Sequence, residues 1–141
     1  MANIIKITQF QAPQFRALIK SDSTDALFDP TTDLATQAEL DAEDIDAYPI
    51  SCTVYKSLDP VAPYIFNTER AEVVPGFDNV EIPASAFIDT TGETDPDHNF
   101  AYTFDNRKSF AFAEAGVFFV NFLLYPKVGA ALAWRSGVEV V

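Results

Sequence analysis

The longest apolar stretch of the chain predicts a strand near the C-terminus. From Val117 to Tyr125 every residue except Asn121 is aliphatic or aromatic, and no helix start signal precedes the stretch. β-branched and aromatic residues in a run of this length favour a strand over a helix. Residues 126–129 then supply a turn in which Gly129 takes a positive φ, and residues 130–141 return as the last strand, with a bulge at Ser136-Gly137.

Both faces of this predicted strand are apolar. Alternate residues of a strand share a face, so the two sets are Phe118, Val120, Phe122 and Leu124 on one side and Val117, Phe119, Asn121, Leu123 and Tyr125 on the other. A strand with one wet face would alternate apolar and polar residues. The second face therefore needs a cover, which is either the domain's own opposite sheet or a neighbouring subunit. If a neighbour covers it, Phe119→Asp should leave a soluble monomer that does not assemble.

The rest of the chain shows further short strand patterns separated by Pro- and Gly-containing turns. We predict strands at 15–20, 50–56, 64–67, 71–74, 85–89 and 100–104, and a strand or arm at 4–10. Turn signals recur at intervals of roughly 8 to 12 residues, which is typical of an all-β sandwich. We therefore predict a single all-β domain over residues 1–141, with residues 1–14 as an extended N-terminal segment.

Most of the net charge of −12 lies in one segment. The window from Asp22 to Asp46 contains nine of the 21 acidic residues and no Lys or Arg. We expect residues 21–47 to form a long acidic loop with a turn or two of helix between Leu34 and Ile45, capped by Asp33. A solvated loop that maintains solubility is the first interpretation, and a cation site or a contact with a basic partner are the alternatives. Such a charge repels nucleic acid, so a nucleic-acid partner is not expected.

The chain contains few residues with catalytic or metal-binding chemistry. Cys52 and His98 are each the single residue of their type, which excludes an internal disulfide and a thiolate–imidazole metal cluster. A catalytic pair would have to join His98 to Ser85 or Cys52, and no nucleophile motif supports one. We therefore predict no enzymatic activity, no cofactor and no metal, and we expect Cys52 to be buried.

The segment that starts at Asp95 resembles the first half of a calcium-binding loop. Asp95, Asp97 and Asn99 stand at positions 1, 3 and 5, but Phe100 replaces the glycine of position 6 and Asn106 replaces the glutamate of position 12. The sharp turn and the bidentate ligand are therefore missing, and we expect a solvated turn.

No membrane segment is predicted. The longest apolar run, of about 11 residues, is shorter than the ~20 that a spanning helix requires, and no basic start followed by an apolar core is visible at the N-terminus. We therefore expect a soluble protein without a membrane partner.

Four short motifs resemble small accessory proteins from the structural modules of tailed bacteriophages. They are Phe15-Arg16-Ala17, Ala42-Glu43-Asp44-Ile45 before Ile50-Ser51-Cys52-Thr53-Val54-Tyr55, Asn99-Phe100, and Gly116-Val117-Phe118-Phe119-Val120. The family pattern is close to A-D-I-x-x-I-x-Y-x-V-Y, then N-F, then G-x-Y-x-V. This chain departs from it at Cys52, which replaces an aromatic residue, at Phe118, which replaces tyrosine, and in the insertion from Ser21 to Leu40.

The resemblance implies an immunoglobulin-like β-sandwich that serves as a virion component without catalysis. The first expectation is a capsid decoration or cement subunit, assembled in the host cytoplasm, that docks on the major capsid protein or other virion subunits and forms a homo-oligomer in the particle. The alternative is a tail, fibre or head–tail adaptor module, with host-glycan binding through Trp134 or loop aromatics as one form of it. The expected assembly surface consists of Ile4, Ile5, Ile7, Phe10, Phe119, Leu123, Tyr125 and Trp134.

Overall fold

A computed structural model of the chain describes residues 4–21, 26–104 and 110–141, and these residues form an all-β fold. The predicted all-β class is therefore confirmed. The elements are β1 (Ile4–Ile7), β2 (Phe15–Ala17), α1 (Gln37–Ala42), β3 (Ile50–Ser57), β4 (Ala71–Val73), β5 (Val80–Glu81), β6 (Phe100–Tyr102), β7 (Gly116–Leu124) and β8 (Leu132–Val140), with short 3₁₀ turns at Thr68–Arg70 and Ala84–Ala86.

The strands form a large sheet and a small one. The large sheet has the order β1-β8-β7-β3-β4, and β5 pairs with β3 beside β4. Its pairings are antiparallel except for β1, which lies parallel to β8 at the sheet edge. The small sheet consists of β2 and β6, paired antiparallel. The two longest strands, β7 and β8, therefore lie inside the large sheet, and the N-terminal strand forms one of its edges.

The β7–β8 hairpin is regular along its whole length. Its register runs without interruption from Gly116 opposite Val140 to Leu124 opposite Leu132, so the predicted bulge at Ser136-Gly137 is wrong. Gly137 instead permits a close approach, because a Cβ at this position would lie 3.2 Å from Cγ1 of Ile4 on the neighbouring strand. The predicted positive φ of Gly129 is confirmed, at +98°.

The core between the two sheets contains a cluster of aromatic rings. Phe122 of β7 lies at its centre, with ring centroids 5.7 Å from Phe15 of β2 and from Phe100 of β6. Trp134 of β8 stacks on Phe122 at 5.3 Å with an interplanar angle of 8°. The even-numbered face of β7, which the sequence pattern separated from the odd-numbered one, is thus the core face.

The acidic segment contains one short helix that is fixed to the end of the hairpin. α1 begins with a capping box in which Thr36, rather than the expected Asp33, is the N-cap and exchanges hydrogen bonds with Glu39. Thr36 is the N-cap because Glu39 follows it by three residues. The Thr36 hydroxyl accepts from the N–H of Glu39, and the Glu39 carboxylate accepts from the N–H of Thr36, so two backbone N–H groups are satisfied. Just before the helix, Ala35 donates its N–H to the carbonyl of Tyr125 at 3.0 Å.

Two predicted strands are wrong, and one predicted turn lies outside the described residues. Residues 64–67 form a loop, and residues 84–86 form a 3₁₀ turn that is followed by a single bridge between Phe87 and Phe100. Pro63 and Pro83 directly precede these two segments, and proline removes the N–H that a central strand would need. The turn expected at 105–108, with the Asn106 position of the calcium pattern, is not among the described residues.

Asn99 joins the two sides of the small sheet through its side chain. It is almost completely buried, and its amide oxygen accepts from the N–H of Ile19 at 2.7 Å while its amide nitrogen donates to the carbonyl of Ile19 at 2.8 Å. The Asn99 side chain therefore supplies the two hydrogen bonds that a neighbouring strand would otherwise give to the backbone of Ile19, just after β2.

We predict that Asn99→Ala lowers the free energy of unfolding by about 3 kcal/mol, because it leaves a buried N–H and a buried carbonyl of Ile19 without partners. Denaturant unfolding would measure the change. Asn121→Ala is the matched control, since Asn121 is only partly buried and bonds the exposed Arg135. An Asn99→Ala midpoint equal to that of the control would contradict the role assigned to the Asn99 amide.

Candidate assembly surface

The eight residues expected to form an assembly surface lie in different parts of the fold. Ile4, Phe119 and Leu123 lie on the outer face of the large sheet, which is the face turned away from the small sheet. Ile5, Ile7 and Trp134 lie on the core face. Phe10 follows β1 in a loop, and Tyr125 follows β7. The structure therefore brings only part of the expected set together.

The chain itself covers Phe119 on the outer face. Only 5% of Phe119 is exposed, and the ring of Phe66 packs against it edge-on at 5.4 Å. Phe66 also contacts Tyr55 of β3 at 5.1 Å, and the guanidinium of Arg135 lies 3.9 Å above its centroid. The sequence suggested that the second apolar face is covered by the opposite sheet or by a neighbouring subunit. At Phe119 the cover is instead a loop of the same chain.

This cover loop, residues 58–67, is held in place by local hydrogen bonds. A carboxylate oxygen of Asp59 accepts from the N–H groups of Val61 and Ala62 at 2.9 and 3.0 Å. These bonds, that of Ala62 first, hold the pKa of Asp59 below its usual range. The Tyr64 hydroxyl donates to the Glu139 carboxylate on β8, which raises the pKa of Tyr64.

The cover loop leaves several apolar side chains exposed to solvent. Val61 is 90% exposed and Ile65 is 66% exposed, and Leu58 and Tyr64 are exposed as well. These residues were not predicted to be exposed, because the sequence pattern indicates a turn at residues 58–63 and a strand at 64–67. Pro60 and Pro63 could have indicated this exposure. A segment that contains two prolines does not enter the centre of a sheet and runs over the surface, so the apolar residues between and after them are exposed.

The N-terminal segment is part of the chain's own sheet. Ile7 is buried, Ile5 packs against the core, and the N–H of Val141 donates to the carbonyl of Ile7 at 3.0 Å. Residues 4–7 therefore do not form an arm that extends away from the domain. Beyond them, Phe10 has a φ of 68° and is exposed, and its ring meets the exposed ring of Phe110 edge-on at 5.2 Å.

The remaining expected residues are partly buried. Trp134 has one indole face stacked on Phe122 and also contacts Phe100 edge-on at 5.3 Å. Leu123 lies on the outer face beyond Asn121, and the backbone of Tyr125 is bonded by Ala35 and Pro49. None of these three forms part of the exposed apolar surface of the cover loop.

The acidic segment is partly neutralised where it meets the hairpin turn. Nζ of Lys127 lies 2.6 Å from a carboxylate oxygen of Glu39, and this contact, more than the bonds from Thr36, holds the pKa of Glu39 below its usual range. Hydrogen bonds from the Thr31 hydroxyl and N–H likewise lower the pKa of Asp29. Asp41 of α1 is exposed, as are Glu43 and Asp44 just after the helix.

The residues considered for catalysis or metal binding do not converge. Cys52 is buried in the core, and burial raises the pKa of its thiol to about 12. Asn99 uses its side chain to bond Ile19, so the third oxygen of the calcium pattern is already engaged. Within residues 4–21, 26–104 and 110–141, no group of three or more His, Cys, Asp or Glu side chains could hold a metal ion.

Comparison of the chain with protein-family models, with curated proteins and with solved structures found no match. Among the described residues, no helix has the length and apolar character needed to cross a membrane.

We predict that Phe119→Asp destabilises the folded chain by roughly 3 to 5 kcal/mol, because it removes a buried ring and buries a charge beneath Phe66. We therefore expect Phe119→Asp to lose stability, instead of remaining a soluble, folded monomer that does not assemble. Val61→Asp is the control, since its side chain is almost fully exposed and the same change should alter stability by less than about 0.5 kcal/mol. Thermal unfolding of both variants would measure the contrast, and equal midpoints would refute the burial of Phe119.

We predict that Cys52 of the native protein does not react with a disulfide-exchange reagent at neutral pH, because its thiol is buried and protonated. Its raised pKa contributes stability that is complete below the ordinary value of 9.0 and is lost as the pH rises towards about 12. Reaction should occur at the rate of unfolding and should become fast in denaturant. Rapid labelling of the folded chain would contradict the core position.

Proposed function

We propose that this chain is a non-enzymatic structural protein of a tailed-phage virion, and that it acts as a decoration or cement subunit on the major capsid shell. The observation that carries the proposal is the set of apolar side chains that the cover loop presents to solvent, above all Val61 and Ile65. The sequence motifs that resemble phage accessory proteins supply the biological setting, and the fold proposed with them is an immunoglobulin-like β-sandwich.

The exposed side chains of the cover loop contribute little to folding. Phe66 and the Tyr64 hydroxyl already fix the loop to the outer face, and the Asp59 carboxylate fixes its bend. Burial of a Val or Ile side chain is worth roughly 1.5 to 3 kcal/mol. A partner that covers Val61 and Ile65 would gain this free energy, and because the loop is already ordered it would lose little conformational entropy.

The net charge supports docking on a preassembled surface rather than self-association in solution. Copies that each carry −12 repel one another, whereas a capsid shell holds its subunits at fixed spacing. Neighbouring subunits in the particle are proposed to form the homo-oligomer there, with β1 as an available sheet edge. The same charge disfavours the viral genome as a partner.

A position in the tail or at the head–tail junction would use the same surface, so only the location in a particle separates it from decoration. Host-glycan binding through Trp134 finds less support. Sugars bind to an open aromatic face, and one face of the Trp134 indole is occupied by Phe122.

We predict that the double substitution of Val61 and Ile65 by Asp reduces binding to purified shells lacking this subunit by at least about 100-fold, because two apolar contacts are lost and two charges must be desolvated. Co-sedimentation of shells with labelled subunit would measure binding. Val128→Asp is the control, since Val128 is 88% exposed on the β7–β8 turn and its substitution should leave binding unchanged. Unchanged binding of the folded double variant, or no binding of the unsubstituted chain, would refute the proposal.

A further inference from the structure

A groove on the outer face lies between the cover loop and β1. Its volume is about 220 Å³, and besides Phe66 its walls are Ile4, Tyr64, Ile65, Phe119, Arg135 and Gly137. Gly137 leaves space in the groove because it has no side chain, and a Cβ at this position would contact Ile4. The groove is therefore a small, mostly apolar site with one cation at its edge.

Two contacts fix the orientation of the Arg135 guanidinium. Its Nε donates to the side-chain oxygen of Asn121 at 2.6 Å, and its central carbon lies 3.9 Å from the centroid of Phe66. The stacking occupies one face of the guanidinium plane, and the bond to Asn121 uses one of its five N–H donors. The four donors of the two Nη atoms are left for other partners.

Arg135 has no carboxylate partner within the described residues, although the chain is strongly acidic. The ion pairs found there join Lys6 to Glu139, Lys56 to Glu114 and Lys127 to Glu39. Glu139, which lies on the same strand and the same face, accepts the Tyr64 hydroxyl instead. The cation beside the groove is thus oriented by the fold and is not neutralised by it.

We propose that this groove binds a partner segment in which a carboxylate adjoins a single apolar side chain. The apolar side chain fills the space between Ile4, Ile65 and Phe119, and the carboxylate receives two parallel hydrogen bonds from the Arg135 fork. An oriented guanidinium loses little freedom on forming such a bidentate pair, and charge-assisted bonds of this kind are about twice as strong as neutral ones. The positive charge of Arg135 selects an acidic segment over an amidated or basic one.

This site overlaps the proposed shell contact at Ile65, but it requires Arg135 and the groove rather than Val61. It could therefore exist whether or not the chain belongs to a virion. A second copy of the chain is a less suitable occupant, since two molecules of charge −12 would have to meet.

The test uses two small probes on the full chain, N-acetyl-phenylalanine with a free carboxylate and the same compound as its amide. In titrations followed by amide NMR, the carboxylate should shift Ile4, Ile65 and Gly137 and bind at least about 10-fold more tightly than the amide. Arg135→Gln should reduce the affinity for the carboxylate to that for the amide and leave the amide unaffected. Arg135→Lys should recover part of the preference, since it retains the charge without the planar fork.

Arg16→Gln is the matched control, because Arg16 is an exposed arginine on β2 whose Nε bonds Gln14. It should leave both affinities unchanged. Equal binding of the two probes, shifts confined to residues outside the groove, or an equal loss on Arg16→Gln would overturn the proposal. The spectra of the variants also show whether each remains folded.

Discussion

The packing of Phe122 between the two sheets is the contact on which the rest of the structure depends. A two-stranded sheet such as β2–β6 is marginal by itself in water, and here Phe15 and Phe100 attach it to the large sheet through the Phe122 ring. Edge-to-face ring pairs contribute beyond the area that they bury. With Trp134 stacked on its other side, Phe122 also fixes the position of β8 relative to the core. A continuous aromatic contact therefore connects the small sheet to the long hairpin.

The same strand requires a second cover, and that requirement explains the exposed apolar surface. β7 carries Phe119 on the face opposite Phe122, and a central strand with two apolar faces is stable only when both are dry. The cover loop meets this need with one ring, Phe66, while turns around Asp59 and Asn67 satisfy its backbone. A loop is only one layer thick, so the side chain of Val61 faces solvent, and that of Ile65, which lines the groove beside Phe119, remains 66% exposed. The surface proposed for docking is thus a physical consequence of how the sheet is covered.

The sequence predicted the local features well and the long-range ones poorly. Alternation between Val117 and Tyr125 correctly separated the core face of β7 from its outer face, and the position of Gly129 correctly marked the turn. The cover of the outer face could not be predicted from periodicity, because residues 58–67 lie some 50 positions earlier in the chain and form a loop, which has no periodic pattern. In the sequence, Asn99 belongs to a short motif and to a calcium pattern. Its two hydrogen bonds to Ile19 could not be predicted, because they depend on the approach of a segment 80 residues away. Ile4 was expected to lie on the assembly surface, and it does line the groove, whereas Ile5 and Ile7 face the core because β1 joins β8 in parallel.

The cations of this acidic chain differ in how the fold engages them. With 21 acidic and nine basic residues, a uniform surface would only repel other proteins of the same sign. Lys127 and Lys56 instead form ion pairs within the chain. Lys127 in the β7–β8 turn binds Glu39 of α1, and Lys56 of β3 binds Glu114. Arg135 differs from them, because Asn121 and Phe66 hold its side chain without cancelling its charge. In the proposed groove site, the oriented cation favours an acidic segment whose carboxylate faces Arg135, because the two parallel hydrogen bonds form only in that arrangement.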